Sequence, residues 1–237
     1  MFYFIYYASF IVVLPGILFA LICQLLVTIR FKKYSRVQSS SQWTANEMSD
    51  MLLEKQGIRS VEIRKVDGSL TDNYNPSTDV LSLSESVYSG TDIASLGVAA
   101  HECGHAVQKH TGSFLLTLRS VLVPVTNIGS RLSMPLIVLG LALSGLGQIF
   151  YYVALAGVAC YGLCVVFQLV TLPTEFNASH RALRAIEESA LLLPEEQTAA
   201  KRVLTAAALT YVAALSVTIM QFLRLLLIVA GGNRRRD

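Results

Sequence analysis

Two histidines four residues apart, His101 and His105, enclose a glutamate in the stretch His101-Glu102-Cys103-Gly104-His105. On a helix this spacing stacks both imidazoles on one face, where they can share a single zinc ion. Glu102 is then able to reach a water activated by the metal and act as general base. The pattern is short, and a buried helix with two hydrogen-bonded histidines is the alternative reading. The apolar residues Ile93, Leu96, Val98, Ala99 and Ala100 would bury this helix and hold the imidazoles rigid. Gly90 and Thr91 are expected to supply its N-cap, with Asp92 near the positive end of the dipole, and Thr111-Gly112 ends it.

A third donor must come from elsewhere in the chain. His110 lies too near on the same helix, and Glu187 and Glu188 fall among charges typical of a solvated face. Glu175 is preferred, because it follows an apolar span and sits in the first turn of a helix expected to start at Pro173. His180 stays open as an alternative. Ser179, one turn after Glu175, could offer its hydroxyl to a ligand. Tyr88, His180 and Arg181 could stabilise a developing oxyanion.

The elements that carry these residues belong to a membrane protein. Of 237 residues, 53% are hydrophobic and only 15% charged, against about 25% charged in a typical soluble domain. The net charge of +3 is concentrated where apolar runs end, which is topology information and no nucleic-acid footprint. Residues 1–29 form a first transmembrane helix, without the charged start or cleavage site of a signal peptide. Arg30, Lys32, Lys33 and Arg36 follow, so the positive-inside rule puts the next segment in the cytoplasm. Residues 30–118 read as a cytoplasmic metallopeptidase segment holding the two histidines. In it, Thr44–Gln56 is helical and closed by Gly57, and Val61 to Val66 is a short strand. Leu70–Tyr74 and Val80–Leu83 form a hairpin around Asn75-Pro76-Ser77-Thr78. Short edge strands beside the zinc helix could bind an extended substrate backbone.

Residues 119–172 form a transmembrane hairpin that turns at Ser144–Gln148, and 173–202 a cytoplasmic helix with the third donor. Pro194 opens a further helix, and 203–231 is a fourth apolar segment, with Arg224 able to snorkel. A fourth crossing would leave Arg234, Arg235 and Arg236 outside, against the charge rule. Three to four spans are therefore expected, with a multi-pass protein in the cell membrane. The cysteines Cys23, Cys103, Cys160 and Cys164 read as buried thiols, outside any disulfide or zinc site.

The stretch LTDNYNPSTDVLSLSESVYSGTDIASLGVAAHECGHAVQ, followed by LPTEFNASHRA, resembles the YugP-type family of membrane zinc metallopeptidases over nearly the whole chain. EFNAS is also similar to the glutamate motif of the HtpX-like gluzincins. The resemblance implies a mainly α integral membrane protein with a small α+β gluzincin-like peptidase domain. It further implies one zinc ion on His101, His105 and Glu175, with Glu102 as catalytic base. The substrate would be a polypeptide, either a membrane protein or an unfolded chain. Asn73, Asn75 and Asn177 stand where the family commonly has histidine or aspartate, which would remove carboxylates that orient ligand imidazoles. A silent zinc-binding scaffold or chaperone and an intramembrane site-2-type protease are the alternatives. The spans carry too few polar groups for a transporter.

Overall fold

The computed structural model describes residues 2–68 and 71–233, with side chains described over 10–68 and 71–231. Leu70 of the expected hairpin and Arg234–Arg236 of the tail lie outside the described residues. The elements in order are α1 (Phe2–Tyr34), α2 (Ala45–Lys55), β1 (Glu62–Val66), β2 (Asn73–Asn75), β3 (Val80–Ser84) and α3 (Glu85–Tyr88). They continue with α4 (Ile93–His110), α5 (Phe114–Ala142), α6 (Gln148–Ser189) and α7 (Pro194–Asn233). Helices α1, α5, α6 and α7 are each long and apolar enough to cross a membrane. The chain is thus a mainly helical membrane protein with a small α+β part.

Two compact units share the chain. The first gathers residues up to Ile22, Leu118–Leu172 and those from Thr210 on. Within it, α5 and α6 form the expected hairpin through a 3-10 turn at Ser144–Leu146. Their backbones meet at glycines. A Cβ on Gly140 would stand 2.4 Å from the Ala154 nitrogen, and one on Gly157 2.7 Å from the Ser133 carbonyl oxygen. Such small-residue contacts let apolar helices pack where water provides no driving force. Arg224 lies with its guanidinium 5.4 Å from the centre of the Phe10 ring, a cation–π contact.

The second unit comprises Cys23–Thr117 and Pro173–Leu209. Its core joins Met48, Leu52, Leu81, Leu83, Ile93 and Leu96 to Ile186 and Val203. Each such side chain contributes roughly 1.5–3 kcal/mol by burial. Helix α2 begins with a full capping box: Thr44 Oγ1 accepts from the Glu47 nitrogen, and Glu47 accepts from the Thr44 nitrogen at 2.8 Å. Gly57, at φ +73°, ends it as expected.

The three strands form one sheet in the order β1-β3-β2. β2 and β3 are the anticipated antiparallel hairpin, with Tyr74 opposite Leu81, and β1 runs parallel to β3. The apolar β3 takes the centre and the three-residue β2 is an edge. Asp79, at φ +58°, ties the turn down. Its carboxylate accepts from Tyr74 Oη at 2.5 Å and Ser60 Oγ at 2.8 Å, and pairs with Lys109 and His110 at the end of α4, each at 3.2 Å. Burial opposes its charge, but these donors outweigh it and hold the carboxyl well below the usual range.

Two helix boundaries differ from the sequence expectation. Asp92, and not Thr91, caps α4: its carboxylate accepts from the Ser95 nitrogen at 3.0 Å and Ser95 Oγ at 2.7 Å. A carboxylate there both satisfies an orphan amide and complements the dipole, while the Thr91 hydroxyl donates to Gln38. Pro173 does not start a helix but lies inside α6. Proline removes one helical hydrogen bond, a loss that membrane helices accommodate by local adjustment, and the flanking helix is long on both sides.

Candidate metal centre

The site is built from one turn of α4 and one turn of α6. His101 and His105 stack on the same face of α4, with ring centroids 4.8 Å apart and planes at 83°. Glu175 faces them from α6, 1% exposed. Its Oε2 lies 3.1 Å from His101 Nε2 and 3.4 Å from His105 Nε2. Three potential donor atoms thus fall within 4.8 Å of one another in a buried setting.

What brings the two helices so close is Gly104, inside the histidine motif itself. A Cβ there would stand 2.4 Å from the Ala178 carbonyl oxygen and 3.3 Å from the Ala178 Cα. Backbone therefore touches backbone three residues after Glu175. Gly104→Ala is expected to force α4 and α6 apart and to destabilise the protein by about 1–3 kcal/mol, read as a lowered Tm. The alanine's better helix propensity, about 1 kcal/mol, works in the opposite direction. An unchanged or raised Tm would contradict this close packing.

Each imidazole is oriented through its far nitrogen. Gln108 is fully buried, and its Nε2 donates to the Thr174 carbonyl at 2.8 Å and to Asn177 Oδ1 at 2.9 Å. That fixes the amide, so Oε1 faces His105 Nδ1 at 2.9 Å and must accept its proton. His105 Nε2 is left with its lone pair toward Glu175. Ser179 Oγ stands 3.1 Å from His101 Nδ1, as the helical spacing suggested. For His105, burial acts most strongly and opposes charge. In the protonated ring, an Nε2–H donated to Glu175, the charges of Glu102 and Glu175, and Gln108 together outweigh it and raise its pKa.

Glu102 occupies a different position. Its Oε2 accepts from the Tyr74 backbone nitrogen on edge strand β2 at 2.9 Å. A carboxylate beside the three donors is thereby anchored to the sheet edge through one oxygen.

The other residues singled out from sequence fall elsewhere. His180 and Arg181 line a cavity of about 450 Å³ together with Gln56, Val107 and Arg184. Arg181 donates to Asn177 Oδ1 at 2.9 Å. Neither residue, nor Tyr88, hydrogen-bonds to the three donors. His110 pairs with Asp79. Cys103 points to the Ser49 carbonyl, 3.8 Å away, and burial pushes its thiol up to about 12. Asn73 and Asn75 make local bonds, to the Thr71 carbonyl and to the Ser77 nitrogen. Only Asn177 of the three asparagines reaches the network behind the imidazoles.

Sequence reasoning missed Gly104, Gln108 and the Tyr74 amide. For Gln108 a signal existed: an uncharged polar residue three positions after His105, on the same face of a mostly apolar helix. For the Tyr74 amide there was none, because backbone groups carry no residue-type signature.

The chain matches, over residues 9–230, the family described as "putative neutral zinc metallopeptidase". A Bacillus subtilis (strain 168) protein described as "Putative membrane protease YugP" is 39% identical over 210 residues, covering 89% of this chain and 91% of that one. No solved structure matches the chain.

Proposed function

The chain belongs to this zinc metallopeptidase family, and we propose that it is a zinc-dependent membrane endopeptidase of gluzincin type. The observation that carries the reading is the convergence of His101 Nε2, His105 Nε2 and Glu175 Oε2 beside the carboxylate of Glu102. The donor set suits zinc: two imidazoles and one carboxylate leave a fourth position open. The hydrogen bonds at both Nδ1 atoms resemble those that orient metal-ligating histidines. His101, His105 and Glu175 would hold one ion. Bound there, zinc supplies Lewis acidity that makes a water more acidic and an amide carbonyl more electrophilic.

The remaining work falls to the protein. Glu102, held through Oε2 by the Tyr74 amide, keeps Oε1 to take a proton from the attacking water and deliver it to the leaving amine. Strand β2 is an edge next to this carboxylate, which suits an extended polypeptide lying along it. Recognition through backbone selects unfolded or extended segments over particular sequences. The cations Arg30, Lys32, Lys33 and Arg36 after α1 favour a cytoplasmic position for the site.

The test is hydrolysis of an unfolded polypeptide by the protein purified in detergent. Cleavage is expected to stop on zinc chelation and return when zinc is restored. Cleavage that persists without metal would defeat the proposal. Gln108→Ala removes the acceptor behind His105 and is expected to weaken zinc binding by about 10–100-fold, measured by competition with a chromogenic chelator. Undiminished affinity would mean that Gln108 does not position the ligand.

A further inference from the structure

A second site lies within the same compact unit, between α1 and α7. It is a cavity of about 400 Å³ whose walls divide by chemistry. Arg30, Lys201 and Arg202 line one part, and Leu26, Ala206 and Leu209 the other. No carboxylate lines it. Among the described residues, none of the three cations forms an ion pair. Tyr34, 5% exposed, links the two helices: its hydroxyl accepts from Arg202 Nη1 at 3.3 Å and also interacts with Arg30.

The sequence gives this division a direction. Residues 2–29 of α1 are uncharged, and Arg30 is the first cation after them. Residues 203–223 of α7 are uncharged, and Lys201 and Arg202 immediately precede them. The two apolar-to-basic boundaries therefore meet in one cavity, which sets an apolar wall beside a basic one, the order of acyl chain and headgroup in a lipid. Three clustered cations without counter-charges, Arg30 half-buried and Lys201 and Arg202 exposed, favour an anion, and basic pockets between membrane helices suit anionic headgroups. A free anion would use the cations but leave the apolar wall unfilled. We propose that this cavity binds one anionic phospholipid, its phosphate on Arg30, Lys201 and Arg202 and an acyl chain along Leu26, Ala206 and Leu209. The site is independent of the metal centre and of its chemistry.

Native mass spectrometry of the full chain in detergent tests this, with palmitoyl-oleoyl phosphatidylglycerol compared against phosphatidylcholine of the same chains. Phosphatidylglycerol is expected to be retained at least about tenfold better. The triple variant Arg30→Gln/Lys201→Gln/Arg202→Gln should lose that preference. Lys32→Gln/Lys33→Gln/Arg36→Gln removes equal charge outside the cavity and should keep it within about twofold. Lys201→Gln alone, at an exposed position, should lower retention about threefold and covers the case in which the triple variant does not fold. Glycerol 3-phosphate and inorganic phosphate, which lack acyl chains, should not compete. Equal losses in the two triple variants, no loss in Lys201→Gln, absence of headgroup preference, or displacement by inorganic phosphate would each overturn the proposal.

Discussion

Glu102→Gln is expected to slow hydrolysis of an unfolded polypeptide by about 10²–10⁴-fold, the range removed with a general base. Zinc content and Tm should stay at wild-type values. The amide retains the shape of the carboxylate, and its oxygen can still accept from the Tyr74 nitrogen, so the link to strand β2 survives. What disappears is an oxygen that can hold a proton between the attacking water and the leaving nitrogen. Rate should therefore fall through kcat with little change in KM. Equal cleavage by the two proteins would remove Glu102 from the mechanism. Loss of zinc in the variant would instead make it a structural part of the centre.

Glu175→Ala is expected to abolish stoichiometric zinc and, with it, activity. Glu175 is 1% exposed and contacts both Nε2 atoms, so a replacement donor is hard to admit. Removing a group behind a ligand already weakens metal binding by about 10–100-fold, and removing the ligand itself should exceed that. The readout can be made independent of catalysis. A ligand at about 1,000 times its Kd stabilises the folded state by about 4.1 kcal/mol, so zinc should raise the Tm of the wild type. The variant should show no such rise. A zinc-dependent rise equal to that of the wild type would exclude Glu175 from the donor set.

The legible part of this protein was the part written in side-chain types at helical or alternating spacing. His101, Glu102 and His105 announced themselves by position on α4, and the apolar runs pointed to three to four spans, where four helices are long and apolar enough to cross a membrane. Alternation and turn residues gave the β2–β3 hairpin, but not the parallel pairing of β1. That pairing depends on which strand takes the buried centre, a tertiary property. Glu175 was a preferred candidate among several on residue grounds, and the resemblance of EFNAS to a known motif is what singled it out.

Other features were hidden for physical reasons. Gly104 reads as a helix-weakening residue until its contact with Ala178 is known. Pro173 reads as a helix start, yet α6 runs through it. Asn177 stands where an acid was expected, but its amide oxygen still accepts from Gln108, so the network behind His105 is closed without a carboxylate.

Zinc K-edge absorption on the purified protein tests the centre most directly. One zinc per chain is expected, with nitrogen and oxygen neighbours at about 2.0–2.2 Å, imidazole scattering, and no sulfur shell. Sulfur at about 2.3 Å, or zinc far below one per chain after reconstitution, would contradict a centre built from His101, His105 and Glu175.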